Sequence, residues 1–216
     1  MQGAVADKPT RLVAPGDAIV IDGPPSRFVG RGGEKLDAAL DAFGIDVSGR
    51  RAIDVGASTG GFTDCLLQRG AVSVVALDVG HGQLDARLRA DDRVTVLERT
   101  HVNDVDAAAI GAPFEVVVVD VSFISLTSVA AALIGSLAGP GTDVVALVKP
   151  QFEVSRAVAS RGKGIVRDPL EWEAALDRVR TAFVARGAAM MGTVESPLKG
   201  ASGNTEFLVH AVVEAT

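Results

Sequence analysis

Four ionisable residues stand where an open α/β sheet presents chemistry: Lys35, Asp120, Lys149 and Glu206 each lie beside a predicted strand end or turn. Ligands of such sheets gather at the carboxyl ends of the strands. Asp120 closes a strand in Val-Val-Asp-Val-Ser-Phe, and Lys149 closes the next in Leu-Val-Lys-Pro-Gln-Phe-Glu. Glu206 lies in Gly-Asn-Thr-Glu-Phe at the start of the last strand. Singly, each reads as a surface charge or an ion-pair partner. Together, two lysines and two carboxylates converging on one mouth form a set suited to holding and moving a proton.

A second group of residues has the look of a nucleotide site. Asp54-Val-Gly56-Ala-Ser58-Thr59-Gly60-Gly61-Phe62 places a glycine loop between a first strand and a helix, and Asp78 ends the second strand. Glycines let backbone approach a ligand closely, and a carboxylate in that place can accept hydrogen bonds from both hydroxyls of an adenosine ribose. The spacing is not the dinucleotide G-x-G-x-x-G, which sets a pyrophosphate on a helix N-terminus. S-adenosylmethionine fits best; another nucleotide or a structural tight turn remain as readings of the loop alone.

These residues need a scaffold, and the alternation of short β-branched runs with helix-sized segments supplies one. Strands are predicted over 52–55, 73–78, 94–98, 115–120 and 143–149, with helices over 62–69, 82–90, 105–110 and 126–137 between them. A helix over 33–43 precedes the set. Another opens at Asp168-Pro169 and runs to about Val184, where aspartate can cap and proline suits the first turn. Strand-like runs 189–194 and 205–213 close the chain. The result is a Rossmann-like α/β fold, with a seven-stranded, mainly parallel sheet and helices on both faces.

Composition agrees with one core domain of this kind: 216 residues, 48% hydrophobic, 24 glycines and only 4% aromatics. Its strands are therefore built from Val, Ile and Ala. The single Cys65 cannot form an intrachain disulfide, and with no secretory leader it suggests a cytoplasmic setting, where the thiol acts as a small buried apolar residue. No metal-ligand set is expected. The uncharged stretch 121–142 is long enough to span a bilayer, but its serines and threonines and its Gly-Pro-Gly turn make it a buried helix instead. A net charge of −6 argues mildly against nucleic acid. The distribution argues the other way, because Arg27 and Arg31 crowd one segment with Lys35, and Arg156, Arg161, Lys163 and Arg167 crowd another with no acid between them. Both clusters are candidate phosphate contacts, although a solvated charged face is the commoner meaning of such runs.

From Arg27 to about Val213 the chain closely resembles the FtsJ-like ribose 2′-O-methyltransferases, and within them the TlyA group, also called haemolysins. The motifs that carry the resemblance are Gly-Arg-Gly-Gly-Glu-Lys-Leu, Asp-Val-Gly-Ala-Ser-Thr-Gly-Gly-Phe-Thr-Asp, Asp-Val-Ser-Phe-Ile-Ser-Leu, Leu-Val-Lys-Pro-Gln-Phe-Glu and Gly-Asn-Thr-Glu-Phe. The resemblance implies a Lys-Asp-Lys-Glu catalytic set at Lys35, Asp120, Lys149 and Glu206. It also implies S-adenosylmethionine as cofactor on the 54–62 loop and Asp78, and ribosomal RNA or a ribosomal subunit as substrate, with cytidine favoured. Two departures accompany it. Where the group has Thr-Asn after the third strand, this chain has Thr100-His101, which shifts the expected adenine contact to His101. The group also begins with a complete S4-type RNA-binding domain. Here residues 1–26 read as its last portion and a linker, with a small β-rich piece over 8–20 and a Gly23-Pro24-Pro25 turn, and 27–216 as the methyltransferase domain. Competing readings are a membrane-active haemolysin and an RNA- or nucleotide-binding module without catalysis. The oligomeric state stays open.

Overall fold

The computed structural model describes residues 12–14 and 26–215. Most of the expected S4 remnant therefore lies outside the described residues. In chain order the elements are α1 (Gly32–Phe43), β1 (Arg51–Val55), α2 (Gly61–Gln68), β2 (Ser73–Leu77), α3 (Ala86–Arg89), β3 (Val94–Leu97), β4 (Phe114–Val119), α4 (Leu126–Ala132), β5 (Ala138–Val148), α5 (Pro150–Glu153), α6 (Arg156–Arg161), α7 (Pro169–Val184), β6 (Ala188–Glu195) and β7 (Phe207–Val213). The seven strands form one sheet in the order β3-β2-β1-β4-β5-β7-β6. β1 to β5 pair in parallel, whereas β7 runs antiparallel between β5 and β6.

Side chains alternate across a strand, so the near-continuous Val/Ile/Ala runs feed two cores at once. Ile53, Val55, Val117, Val119, Val144, Ala146 and Val148 face one core, which takes in α4 and α7 residues such as Val129, Leu133, Val179 and Phe183. Ala52, Val74, Ala76, Val116, Val118, Val145, Leu147 and Leu208 face the other, with Leu36 and Leu40 of α1 and Leu66 of α2. Burying each larger side chain contributes roughly 1.5–3 kcal/mol, and both faces of the central parallel strands are covered, while the edge strand β3 is only partly buried.

The structure departs from the sequence expectations in the connections. Residues 105–110 form no helix; a short 3-10 turn at Val102–Asp104, capped by His101, precedes turn residues instead. Only Ala86–Arg89 of 82–90 is helical, because Asp85 caps the segment late, accepting from the Arg87 N–H. α4 leaves α-helical pattern at Leu133 and finishes as a π-helical turn to Leu137. β5 begins before the Gly-Pro-Gly turn, which is accommodated as a register shift against β4 rather than ending the strand. Of the 121–142 stretch only 126–137 is helical, and Leu126, Val129, Leu133, Ile134 and Leu137 pack into the core while Ser122 and Phe123 are exposed; among the described residues no helix is long and apolar enough to cross a membrane. Burial pushes the Cys65 thiol up to about 12, which keeps it protonated as a core side chain.

Candidate active site

β1 connects to β2 on one side of the sheet and its other neighbour is β4, so the strand order reverses between β1 and β4. A crevice opens at such a switch point beyond the carboxyl ends of the strands. Gly56, at φ +89°, turns the chain there against the loop after β4. A Cβ at this position would lie 2.4 Å from the Asp120 carbonyl oxygen, so only glycine fits. Gly61, which opens α2, is also pressed close to the start of α1, where a Cβ would meet the Gly33 nitrogen at 2.9 Å. This contact between helix starts fixes Lys35 one turn into α1.

Asp54 points to the same face as Ala52, toward α2. Its Oδ2 accepts from the Thr63 N–H at 2.9 Å and the Thr63 hydroxyl at 2.7 Å, taking the capping role that Gly60 cannot fill. Burial raises its carboxyl to about 7; the Thr63 hydrogen bonds oppose this, and the negative charges of Asp120 and Asp78 add to it. Asp54 is wholly buried and lines neither large cavity. It braces the loop from beneath rather than meeting a ligand. Asp78 is aimed differently: its Oδ2 accepts from the Ser58 N–H at 2.8 Å and its Oδ1 from the Gly80 N–H at 2.6 Å, which ties both loops to one carboxylate while leaving it partly exposed.

The four ionisable residues meet as two ion pairs. Lys149 Nζ lies 2.6 Å from Asp120 Oδ1 and donates to the Ser122 hydroxyl at 2.7 Å, and Lys35 Nζ donates to Glu206 Oε2 at 2.6 Å. Lys35, Lys149 and Glu206 are buried. The antiparallel direction of β7 makes this possible. Val148 pairs with Phe207, so the residue after one and the residue before the other both overhang the carboxyl edge of the parallel strands. Glu153 braces the arrangement, accepting from the Ser125 hydroxyl at 2.5 Å and the Leu126 N–H at 2.7 Å, and so joins the segment after β5 to the start of α4.

Two cavities flank the Gly56–Asp120 contact. One, of about 660 Å³, is lined by Lys35, Asp120, Lys149 and Glu206 together with Arg31 and Thr59; Ser58, Gly61 and Phe62 also border it. The other, of about 520 Å³, has Asp78 and His101 on its polar side and Leu77, Val79, Val102 and Ile124 as apolar walls. The second cavity is an apolar slot beside a carboxylate, and it shares Gly56 with the first. His101 lines it while its Nδ1 accepts from the Asn103 N–H at 3.2 Å, which leaves Nε2 as the protonated nitrogen of a neutral ring. Gly60 contacts Leu84 and Leu88 instead of a cavity. His81 and His210 stand apart, paired with Glu98 and Asp143.

Sequence reasoning passed over Ser122, Phe123 and Lys199. Phe123 has φ +67°, is 88% exposed, lines both cavities and stacks near Phe152 at 5.4 Å between centroids; an exposed aromatic beside a catalytic Asp was its only signal. Of the basic candidates, Arg27 is taken up by Asp37 at 2.5 Å and by the Phe28 ring. Arg31 lines the larger cavity, Arg156 and Arg161 lie on α6, none of whose residues is buried, and Arg167 lines a smaller cleft nearby.

The sequence model of FtsJ-like methyltransferases matches residues 28–212. The "16S/23S rRNA (cytidine-2'-O)-methyltransferase TlyA" of Mycobacterium tuberculosis is 46% identical over 210 residues, covering 97% of this chain and 78% of that protein. A solved structure described as a hemolysin from Streptococcus thermophilus is 42% identical with a TM-score of 0.85, over 90% of this chain and 70% of the other. An S-adenosylmethionine-dependent methyltransferase from Listeria monocytogenes, 14% identical, shares the fold at a TM-score of 0.62 over 85% of this chain and 98% of that one.

Proposed function

The chain belongs to the FtsJ-like methyltransferase family, and from that premise we propose that it transfers a methyl group to a ribose 2′-hydroxyl of ribosomal RNA, with cytidine as the preferred nucleoside. One observation carries the reading. The two lysine–carboxylate pairs line the same cavity that adjoins the Asp78 slot, so a hydroxyl donor and a cofactor can meet across Gly56. The 46% identity to a ribosomal RNA cytidine methyltransferase supports the substrate. A ribosomal RNA substrate supports a cytoplasmic location.

S-adenosylmethionine supplies an electrophilic methyl group when bound. Asp78 would hold the ribose hydroxyls of the cofactor, with the glycine loop 56–61 beside it, and His101 would be the donor available to the adenine. On the substrate side a ribose hydroxyl is a poor nucleophile and must lose its proton as it reacts. Lys149, in its amine form, accepts that proton. Asp120 then stabilises the ammonium so formed, and Ser122 fixes the direction of Nζ. The Lys35–Glu206 pair orients the ribose, and Phe123 offers a ring face at the mouth. Holding the reactants in line supplies a large part of the rate.

The experiment is ribose-methylation mapping on ribosomal RNA with and without the protein, in a host lacking the modification. A new 2′-O-methylcytidine that disappears with Lys149→Ala supports the reading. Methylation confined to a base nitrogen or carbon overturns it.

A further inference from the structure

Beside the catalytic mouth lies a second cleft that none of the assigned roles uses. It measures about 400 Å³ and is lined by Arg167, Lys199, Trp172 and Ser202 with Val166 and Thr205. Ser202 also lines the larger catalytic cavity, so the two adjoin. The side chains of Arg167 and Lys199 have no hydrogen-bond or ion-pair partner among the described residues, and the same is true of the Arg31 side chain. Several cations elsewhere are committed: Arg50, Arg69, Arg89 and Arg93 each hold a carboxylate. In a chain of net charge −6, Arg31, Arg167 and Lys199 thus bring uncommitted positive charge to two adjoining clefts.

The floor of the cleft is built rather than incidental. The Val166 N–H donates to Asn204 Oδ1 at 2.9 Å, the Trp172 indole N–H donates to the Val166 carbonyl at 3.0 Å, and Asn204 Nδ2 donates to the Gly164 carbonyl at 2.9 Å. Both backbone groups of Val166 are therefore used, and its neighbour Arg167 is carried on a fixed piece of chain. Asn204 is buried and stands two residues from Glu206. The same residue that secures the basic segment thus belongs to the loop that delivers a catalytic carboxylate. Trp172 is half-buried, backed by Phe207 at 5.8 Å between centroids, and lines the same cleft as the two cations.

We propose that this cleft is a subsite for the sugar–phosphate backbone of the RNA next to the target nucleotide, with Arg167 and Lys199 as the phosphate contacts. The inference rests on the RNA reading above. A polyanion is what two uncommitted cations over a polar, hydrogen-bonded floor accept, and the junction at Ser202 puts the subsite within reach of a strand whose target ribose occupies the catalytic cavity. Coupling through Asn204 means that a strand seated here also holds the Glu206 loop in place.

The test uses the full chain and isolated small and large ribosomal subunits lacking the modification. Affinity is titrated at several salt concentrations for the parent, for Arg167→Ala/Lys199→Ala and for Arg180→Ala/Arg186→Ala, which removes the same charge on and just after α7 away from the mouth. Removing two phosphate contacts should weaken binding at least tenfold and make the dependence of log affinity on log salt shallower by about 1–2. The control pair should move neither, and cofactor affinity by calorimetry should equal the parent's. The single variants Arg167→Gln and Lys199→Gln, each expected to show part of the effect, cover the case of a poorly folding double variant. If the cleft variant matches the control while the parent still binds and methylates ribosomes, the subsite is wrong and the function stands. A parent that neither binds nor methylates them overturns both.

Discussion

Lys149 and Glu206 bracket a single rung of the sheet: Val148 pairs with Phe207, and the two charged residues continue from opposite ends of that pair into the catalytic cavity. They take different partners, Asp120 for Lys149 and Lys35 for Glu206. In the mechanism proposed above, this division of the four residues into two pairs separates a proton-handling pair from an orienting one, and the two can be tested apart.

Lys149→Ala should abolish methyl transfer while leaving cofactor affinity nearly unchanged, since Lys149 lines the catalytic cavity and not the Asp78 slot. Single-turnover rates at saturating RNA should fall by about a hundredfold or more, the range of general-base catalysis. A slowing of less than about tenfold is incompatible with the assigned role.

Asp78→Ala should lose cofactor binding measured by calorimetry. The same substitution releases the Ser58 and Gly80 N–H groups that the carboxylate now holds, so Asp78→Asn, which keeps an acceptor for one of them, should recover only part of the affinity. An alanine variant that binds as tightly as the parent would place the cofactor elsewhere.

For the orienting pair, Lys35→Met and Glu206→Gln should each destabilise, because either change leaves a buried charge without its partner, at a cost of about 3–5 kcal/mol. The double variant Lys35→Met/Glu206→Gln should recover much of that stability without recovering activity. Strict additivity of the two single losses in urea unfolding would mean that the 2.6 Å contact contributes no coupling.

Asp54 makes a prediction about pH. Its carboxyl is raised to about 7 by burial, so between about pH 4 and 7 the folded chain retains a proton that the unfolded chain has released. Stability from this group is therefore present below that window and lost as pH rises through it. Asp54→Asn keeps an acceptor for Thr63 and removes the titration. Relative to the parent, the variant should gain stability between pH 5 and pH 8 in urea midpoints, and parallel pH dependence of the two proteins would show that Asp54 is ionised throughout.

Much of the site was legible in the sequence for a geometric reason. Strand side chains repeat every second residue, and Asp120, Lys149 and Glu206 each stand two positions from a residue that faces the α1–α2 side of the sheet: Val118, Leu147 and Leu208. Asp54 follows Ala52 in the same way, and Lys35 arrives on α1 from that side. The apolar runs thus determined the sheet, both cores and the face on which the charges gather. What they did not determine depends on contacts between distant segments. Asp54 looks like a ligand contact in its motif and becomes a brace only because Thr63 folds over it. Residues 105–110 have helical composition but are short, and the His101-capped turn before them redirects the chain. The pairing of each lysine, the exposure of Phe123 and the sharing of one cleft by Arg167, Lys199 and Trp172 were decided by the tertiary structure, because each depends on where a loop returns to the sheet rather than on any local period.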